Sequence, residues 1–147
     1  MAEERGTTGT LTKEERDAVK QRAKELREQE KAGKNREAGL AAVMEAISKL
    51  EGTDKVIAEG LHKVVSEVAP DLVPKTYYGM PGYANAEGKI VVFTQPAGKF
   101  KVRYATVAFE QTARLDDGDT WPVAWAVIDW NPEIEKKVAA QVKKAVS

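Results

Sequence analysis

Hydrophobic positions along this chain keep a helical spacing as far as residue 69, a strand spacing between residues 75 and 130, and a helical spacing again to the end. Thr12 followed by Glu15 has the form of a capping box, so the first helix is expected to begin there and run to Ala32, with Gly33 and Asn35 ending it. Its apolar stripe, Leu11, Val19, Ala23 and Leu26, is thin against charge on the other faces, which predicts either a weakly packed appendage or a contact with a partner. A second helix over Arg36–Glu51 carries Leu40, Val43, Met44, Ile47 and Leu50 on one face, and Gly52 closes it. Thr53 is placed to cap a third helix, Asp54–Ala69, with Ile57, Leu61, Val64, Val65 and Val68 as its stripe. Met1–Thr10 reads as a frayed terminus.

After Pro74 the period changes. Short strands at Lys75–Tyr78 and Gly82–Asn85 flank a glycine- and proline-rich corner, Gly79-Met80-Pro81-Gly82, and Lys89–Thr94 reads as a clear strand. Lys99–Phe109 is expected as one long strand, with Lys99, Lys101 and Arg103 on one face and Phe100, Val102 and Tyr104 on the other. Beyond Tyr104 it turns apolar on both faces, as a strand does when it enters a covered centre. Trp121–Trp130 is the most apolar strand, and Asn131-Pro132 then starts a last helix lined by Ile134, Val138 and Val142. Helices, then an antiparallel sheet, then a helix predict an α+β layer. Residues 1–34 read as a flexible terminus plus charged helical extension, and residues 35–147 as the α+β domain.

Composition narrows the chemistry more than the fold. Lys plus Arg, at 23, equals Asp plus Glu, so no global field favours nucleic acid or an anionic membrane. The absence of cysteine removes disulfides and thiol nucleophiles. A single histidine, His62, leaves no room for a His-rich metal site. No signal peptide is visible, and the longest apolar run, Val123–Ile128, is too short to span a bilayer, so a cytoplasmic location is expected.

Four groups could carry function. Glu110 with the acidic knot Asp116, Asp117 and Asp119 offers oxygen ligands to a hard cation, although Asp117-Gly118 is equally a good tight turn. Glu59-x-x-His62 puts a carboxylate and an imidazole one helical turn apart, a solvated pair or one weak metal contact. Lys99, Lys101 and Arg103 could form a basic ridge for phosphate, which would bind nucleic acid only weakly, or serve solubility alone. Tyr77, Tyr78, Met80, Pro81, Tyr83 and Trp125 could line a groove for a small ligand or a partner, against the alternative that these rings are core. Nothing sets a nucleophile beside a base, so no enzyme is expected.

Tyr78-Gly79-Met80-Pro81-Gly82-Tyr83, followed by Arg103-Tyr104-Ala105-Thr106 and by Leu115-Asp116-Asp117-Gly118 ahead of Trp121-Pro122, resembles the YdhG-like family. This is a bacterial family of unknown-function domains with a fold like that of frataxin. The likeness covers roughly Arg36–Val146, and the preceding helix is similar to the charged extension of actinobacterial members. The resemblance implies a helix-flanked antiparallel sheet and, by way of frataxin, a non-enzymatic protein that binds Fe(II) weakly and acts as an iron chaperone. Frataxin's acidic ridge has no position-by-position match here, and Glu110, Asp116, Asp117 and Asp119 are the nearest comparable cluster. Expected partners are another protein, or a second copy through the N-terminal helix. Membrane is not expected, and nucleic acid is the weakest alternative.

Overall fold

The computed structural model describes residues 12–147. The expected frayed terminus Met1–Thr10, and Leu11 of the first stripe, lie outside the described residues. The chain divides into two compact units, one ending at Glu37 and one running Ala38–Ser147.

Helix α1 spans Lys13–Ser48. Its start follows the sequence. The Thr12 amide donates to Glu15 Oε1 at 2.9 Å and the Glu15 amide to Thr12 Oγ1 at 3.1 Å, so each residue caps the other. Within the first unit Val19 and Leu26 stay exposed and Ala23 is half-buried. The expected break at Gly33 and Asn35 does not occur. Gly33 does not take a positive φ, and a glycine without proline costs a helix only about 1 kcal/mol, too little to stop propagation.

The second unit is an α+β layer. Helix α2 (Gly52–Val68), strands β1 (Val73–Pro74), β2 (Gly82–Ala84) and β3 (Ile90–Gln95), the short helix α3 (Ala97–Phe100), strands β4 (Ala105–Phe109) and β5 (Ala124–Val127), and helix α4 (Pro132–Val146) follow the end of α1. The five strands form one antiparallel meander in chain order. Consecutive strands that pair directly need only short connections, which suits a sheet built from one stretch of chain.

Helices cover one face of the sheet. Val43 and Ile47 of α1, Ile57, Leu61, Val64 and Val65 of α2, and Val138 and Val142 of α4 are buried in one cluster with Tyr83, Val92, Val107 and Val127. Five aliphatic side chains of this kind stabilise by roughly 10 kcal/mol gross, which is why the stripes decide the helix orientation. Leu40 and Met44 depart from the expected stripe and stay substantially exposed, so α1 docks through a narrower seam than its sequence offers. The α4 start is as expected: Asn131 Oδ1 accepts from the Ile134 amide at 2.9 Å, with Pro132 in the first turn.

Three expectations about the strands are corrected. Lys75–Tyr78 is not a strand, because β1 closes at Pro74 and only a single bridge, Tyr77 to Met80, follows it. Lys99–Phe109 is broken: Pro96 and the α3 turn take up its first residues, Lys101 ends α3 in the left-handed region, and β4 begins at Ala105. The apolar β4 is covered on one face only. Two glycines explain how closely the helices sit. A Cβ on Gly39 would lie 2.0 Å from the Pro74 carbonyl oxygen, and one on Gly60 would lie 2.2 Å from Cε2 of Trp130. Neither helix could come so near with a side chain there.

Candidate functional site

The corner at residues 77–80 is a two-residue hairpin. Tyr77 and Met80 exchange both backbone hydrogen bonds, at 2.8 and 2.9 Å, and Tyr78 (φ 51°) and Gly79 (φ 78°) both have positive φ. Positive φ at both central residues is the mark of a type I′ turn, whose first central position favours Asn, Asp or Gly. Here it is tyrosine, a bulky residue for which the left-handed region is an outlier. Its ring is 82% exposed and rests edge-on against Tyr77, centroids 4.7 Å apart, while Tyr77 packs in the same manner on Phe93 at 5.0 Å. Tyr77 is held above the ordinary phenol pKa by partial burial, then by the nearby Glu110 carboxylate and Tyr78.

Beside this hairpin lies an open groove of about 680 Å³. One wall is the last turns of α1 with the start of α2 (Ala42, Ala46, Leu50, Asp54), and the other is Thr76, Gly79, Pro81 and the Pro96–Lys99 segment. Small residues on both walls keep the space open. Asp54 fastens the far wall: its Oδ1 accepts from the Ala97 amide at 3.0 Å and its Oδ2 from the Gly98 amide at 2.9 Å. A carboxylate on two first-turn amides neutralises the orphan donors of α3 and ties it to α2. The ammonium of Lys99 reaches back over the hairpin, 2.6 Å from where a Cβ on Gly79 would sit. On the opposite rim Glu45 and Lys49 pair at 3.2 Å as an exposed i,i+4 couple. Asp54 and Lys99 are the residues the sequence did not single out in these roles. Asp54 reads there as an ordinary first-turn acid, since the residues it caps are more than forty positions away.

The proposed lining assembles only in part, since of its six residues Pro81 alone lines the groove. Met80, Pro81 and Tyr83 are buried. The Tyr83 hydroxyl lies 2.9 Å from His62 Nδ1, inside the helix–sheet cluster. Burial pushes the Tyr83 phenol well up and His62 down, so both are held neutral. The solvated Glu59–His62 reading is thereby corrected: His62 turns inward onto Tyr83, while Glu59 stays exposed. Trp125 is on β5, four strands from β1, against Phe109 and beneath the Lys137 ammonium. It takes no part in the groove. Only Tyr78, with half-buried Tyr77, remains a presented aromatic at the corner.

Neither charged candidate is a built site. Lys99 lies on α3, Lys101 is its left-handed cap, and Arg103 stacks over Tyr104 at 5.1 Å, so the three do not line one strand face. Asp116, Asp117 and Asp119 are exposed around a turn in which Gly118 takes φ 66°, the tight-turn reading of this knot. Among the described residues no group of three or more His, Asp or Glu side chains converges as a metal would require, and Glu110 with the three aspartates is no exception. No helix among the described residues is long and apolar enough to cross a membrane. Comparison of the chain with protein-family models, curated proteins and solved structures finds no match.

Proposed function

We propose that this protein is a non-enzymatic binding module that takes a small ligand or a short partner segment in the groove between α1 and the Tyr77–Met80 hairpin. The observation that carries this reading is Tyr78. A tyrosine held at positive φ and left 82% exposed contributes little to the core and strains the turn by about 1 kcal/mol or more, where Asn or Gly would relieve it. An exposed aromatic at that cost, next in the chain to Gly79 of the groove wall, serves contact with something outside the chain.

The iron-chaperone reading rests on the YdhG-like resemblance, and the helix-backed antiparallel layer is compatible with it. It would draw on Glu110, Asp116, Asp117 and Asp119, whose side chains do not converge. Both readings are separated by one thermal-shift screen of the full chain against a metabolite set and Fe(II) under anaerobic conditions. A groove ligand at 100 times its dissociation constant adds about 2.7 kcal/mol. Its shift should vanish in Ala46→Trp, which fills the groove, and shrink in Tyr78→Asn. An Fe(II) shift abolished by Asp116→Ala/Asp117→Ala/Asp119→Ala would instead favour the iron donor. A screen in which no compound acts through Ala46 or Tyr78 would count against the groove.

A further inference from the structure

β4 carries no charge on either face, yet helices cover only one. Strand register places Ala105, Val107 and Phe109 on the helix side, and Thr106 and Ala108 on the other. Across the ladders that second face continues through Phe93, buried under Tyr77, and Gln95 of β3, and through Ala124 and Ala126 of β5, both exposed. At its margin Tyr104 is over a third exposed and Ile128 is 74% exposed. The small cluster on this side, Met80, Ala84, Ile90 and Phe93 with Tyr77 and Ala108, contains no helix residue. An antiparallel sheet that faces water ordinarily alternates apolar-in with polar-out. This outer face has no charged residue among its paired β3–β5 positions.

Charge lies at the two ends of β4, with opposite signs. Lys99, Lys101 and Arg103 precede the strand, and the Arg103 guanidinium stacks over the exposed Tyr104 ring at 5.1 Å. Glu110 follows it, close enough to Tyr77 of the outer cluster to perturb that phenol, while the connection beyond turns to the helix side, with Ala113 and Leu115 in the helix-backed cluster and the Arg114 amide donating to the Ala145 carbonyl at 2.9 Å. Asp129 is an acid next to the basic end, and the β2–β3 turn holds Glu87 and Lys89 together with the Lys75 ammonium, which donates to the Gly88 carbonyl at 2.7 Å.

A surface that is uncharged in the middle, with Arg103 at one end of β4 and Glu110 at the other, is complementary to itself under one of two face-to-face two-fold axes. An axis along the strands would set Arg103 on Arg103. An axis across the strands reverses one sheet over the other and sets Arg103 on Glu110 at both ends. We infer that the outer face of this sheet seats a second copy of the chain, sheet on sheet with strand directions reversed, Arg103 of each copy meeting Glu110 of the other. The aligned packing of two antiparallel sheets about 10 Å apart is a standard geometry for such faces. Strand spacing and rise give a footprint of roughly 20 by 25 Å before the rim is counted, the low end for a specific interface, so the dimer should dissociate at micromolar dilution. This surface is distinct from the groove, and the inference does not rest on the ligand reading.

Sedimentation velocity on the full chain, from about 1 to 500 µM at low and at high salt, tests it. The expected result is a monomer–dimer equilibrium weakened by salt. Ala126→Arg, at an exposed position in the middle of the face, should leave a folded monomer by circular dichroism. Arg103→Glu and Glu110→Arg should each weaken dimerisation about tenfold or more, and the double variant, in which the charges meet again with signs exchanged, should recover it. A chain monomeric throughout overturns the inference. So does a dimer that survives Ala126→Arg, or one lost instead in Val19→Glu/Leu26→Glu, which would put the contact on the N-terminal helix. A charge-swapped variant no better than either single one overturns the reversed orientation.

Discussion

Replacing Gly39 by alanine tests how the groove wall is built. In an exposed helix interior this change stabilises by about 1 kcal/mol, because alanine loses less backbone entropy and has the higher helix propensity. Here the new methyl would fall 2.0 Å from the Pro74 carbonyl oxygen and 3.1 Å from its carbon, where real Cβ atoms keep beyond 3.0 Å. The obstacle is backbone at the end of β1, so no rotamer change relieves it. Either α1 or β1 retreats by about 1 Å, and overpacking of this kind costs about 1–3 kcal/mol or somewhat more. The clash outweighs the propensity gain. The net expectation is a loss of about 1–2 kcal/mol, read as a melting temperature lower by roughly 3–8 °C for a chain of this size. Gly33 is the internal control: it lies in the same helix, and an added Cβ meets nothing within 4 Å. Gly33→Ala should raise the melting temperature by a few degrees while Gly39→Ala lowers it, measured side by side by calorimetry or urea titration. If both stabilise equally, α1 does not approach β1 as described and the groove wall it forms is wrong.

Three further expectations follow from the same packing. Gly60→Ala places a methyl 2.2 Å from the Trp130 indole, which must swing off α2 and give up the hydrogen bond from its Nε1 to Glu135; a loss of about 1–2 kcal/mol with red-shifted tryptophan emission is expected, and an unshifted spectrum at wild-type stability would contradict it. Asp54→Ala removes both acceptors of the Ala97 and Gly98 amides and should cost about 1.5–3 kcal/mol, with faster amide exchange in Pro96–Lys101; unchanged exchange there would refute the capping role. The His62–Tyr83 pair contributes to the loss of stability at both ends of the pH range, beside Glu135 on the acid side and Tyr77 on the alkaline side. His62 titrates lower in the folded than in the unfolded chain, so below about pH 6.5 the unfolded state binds more protons and stability falls. Tyr83 titrates higher when folded, so above about pH 10 the unfolded state loses its proton first and stability falls again. Melting temperature against pH should lose its alkaline fall-off, to the extent that Tyr83 supplies it, in Tyr83→Phe, and an unaltered profile would show that the pair is not the titrating unit.

Most of the periodicity and the first and last helix caps were legible from residue order alone because their causes are local, whereas Thr53 does not cap α2, which starts at Gly52 behind Glu51 with no side-chain cap. Thr12 with Glu15, Asn131 with Pro132, and the Ile57–Val65 and Val138–Val142 stripes act within one or two turns, so sequence neighbours suffice to determine them. The α+β class followed from the order of those elements. What sequence could not decide was set by contacts between distant positions. Gly39 and Gly60 look like weak points in helices until Pro74 and Trp130 are placed against them. Asp54 looks like any first-turn acid until α3 arrives, and His62 and Tyr83, 21 residues apart, become one hydrogen-bonded pair of half-buried imidazole and buried phenol only when α2 lies on β2. The run from Lys99 kept a strand's alternation on paper and became a helix turn, because Pro96 and the Asp54 carboxylate bend it before the ladder can form. Residue order determines what each segment can be at short range; which side chain meets another, and so which groove or face is left open, depends on chain closure over tens of residues, where no local pattern carries the information.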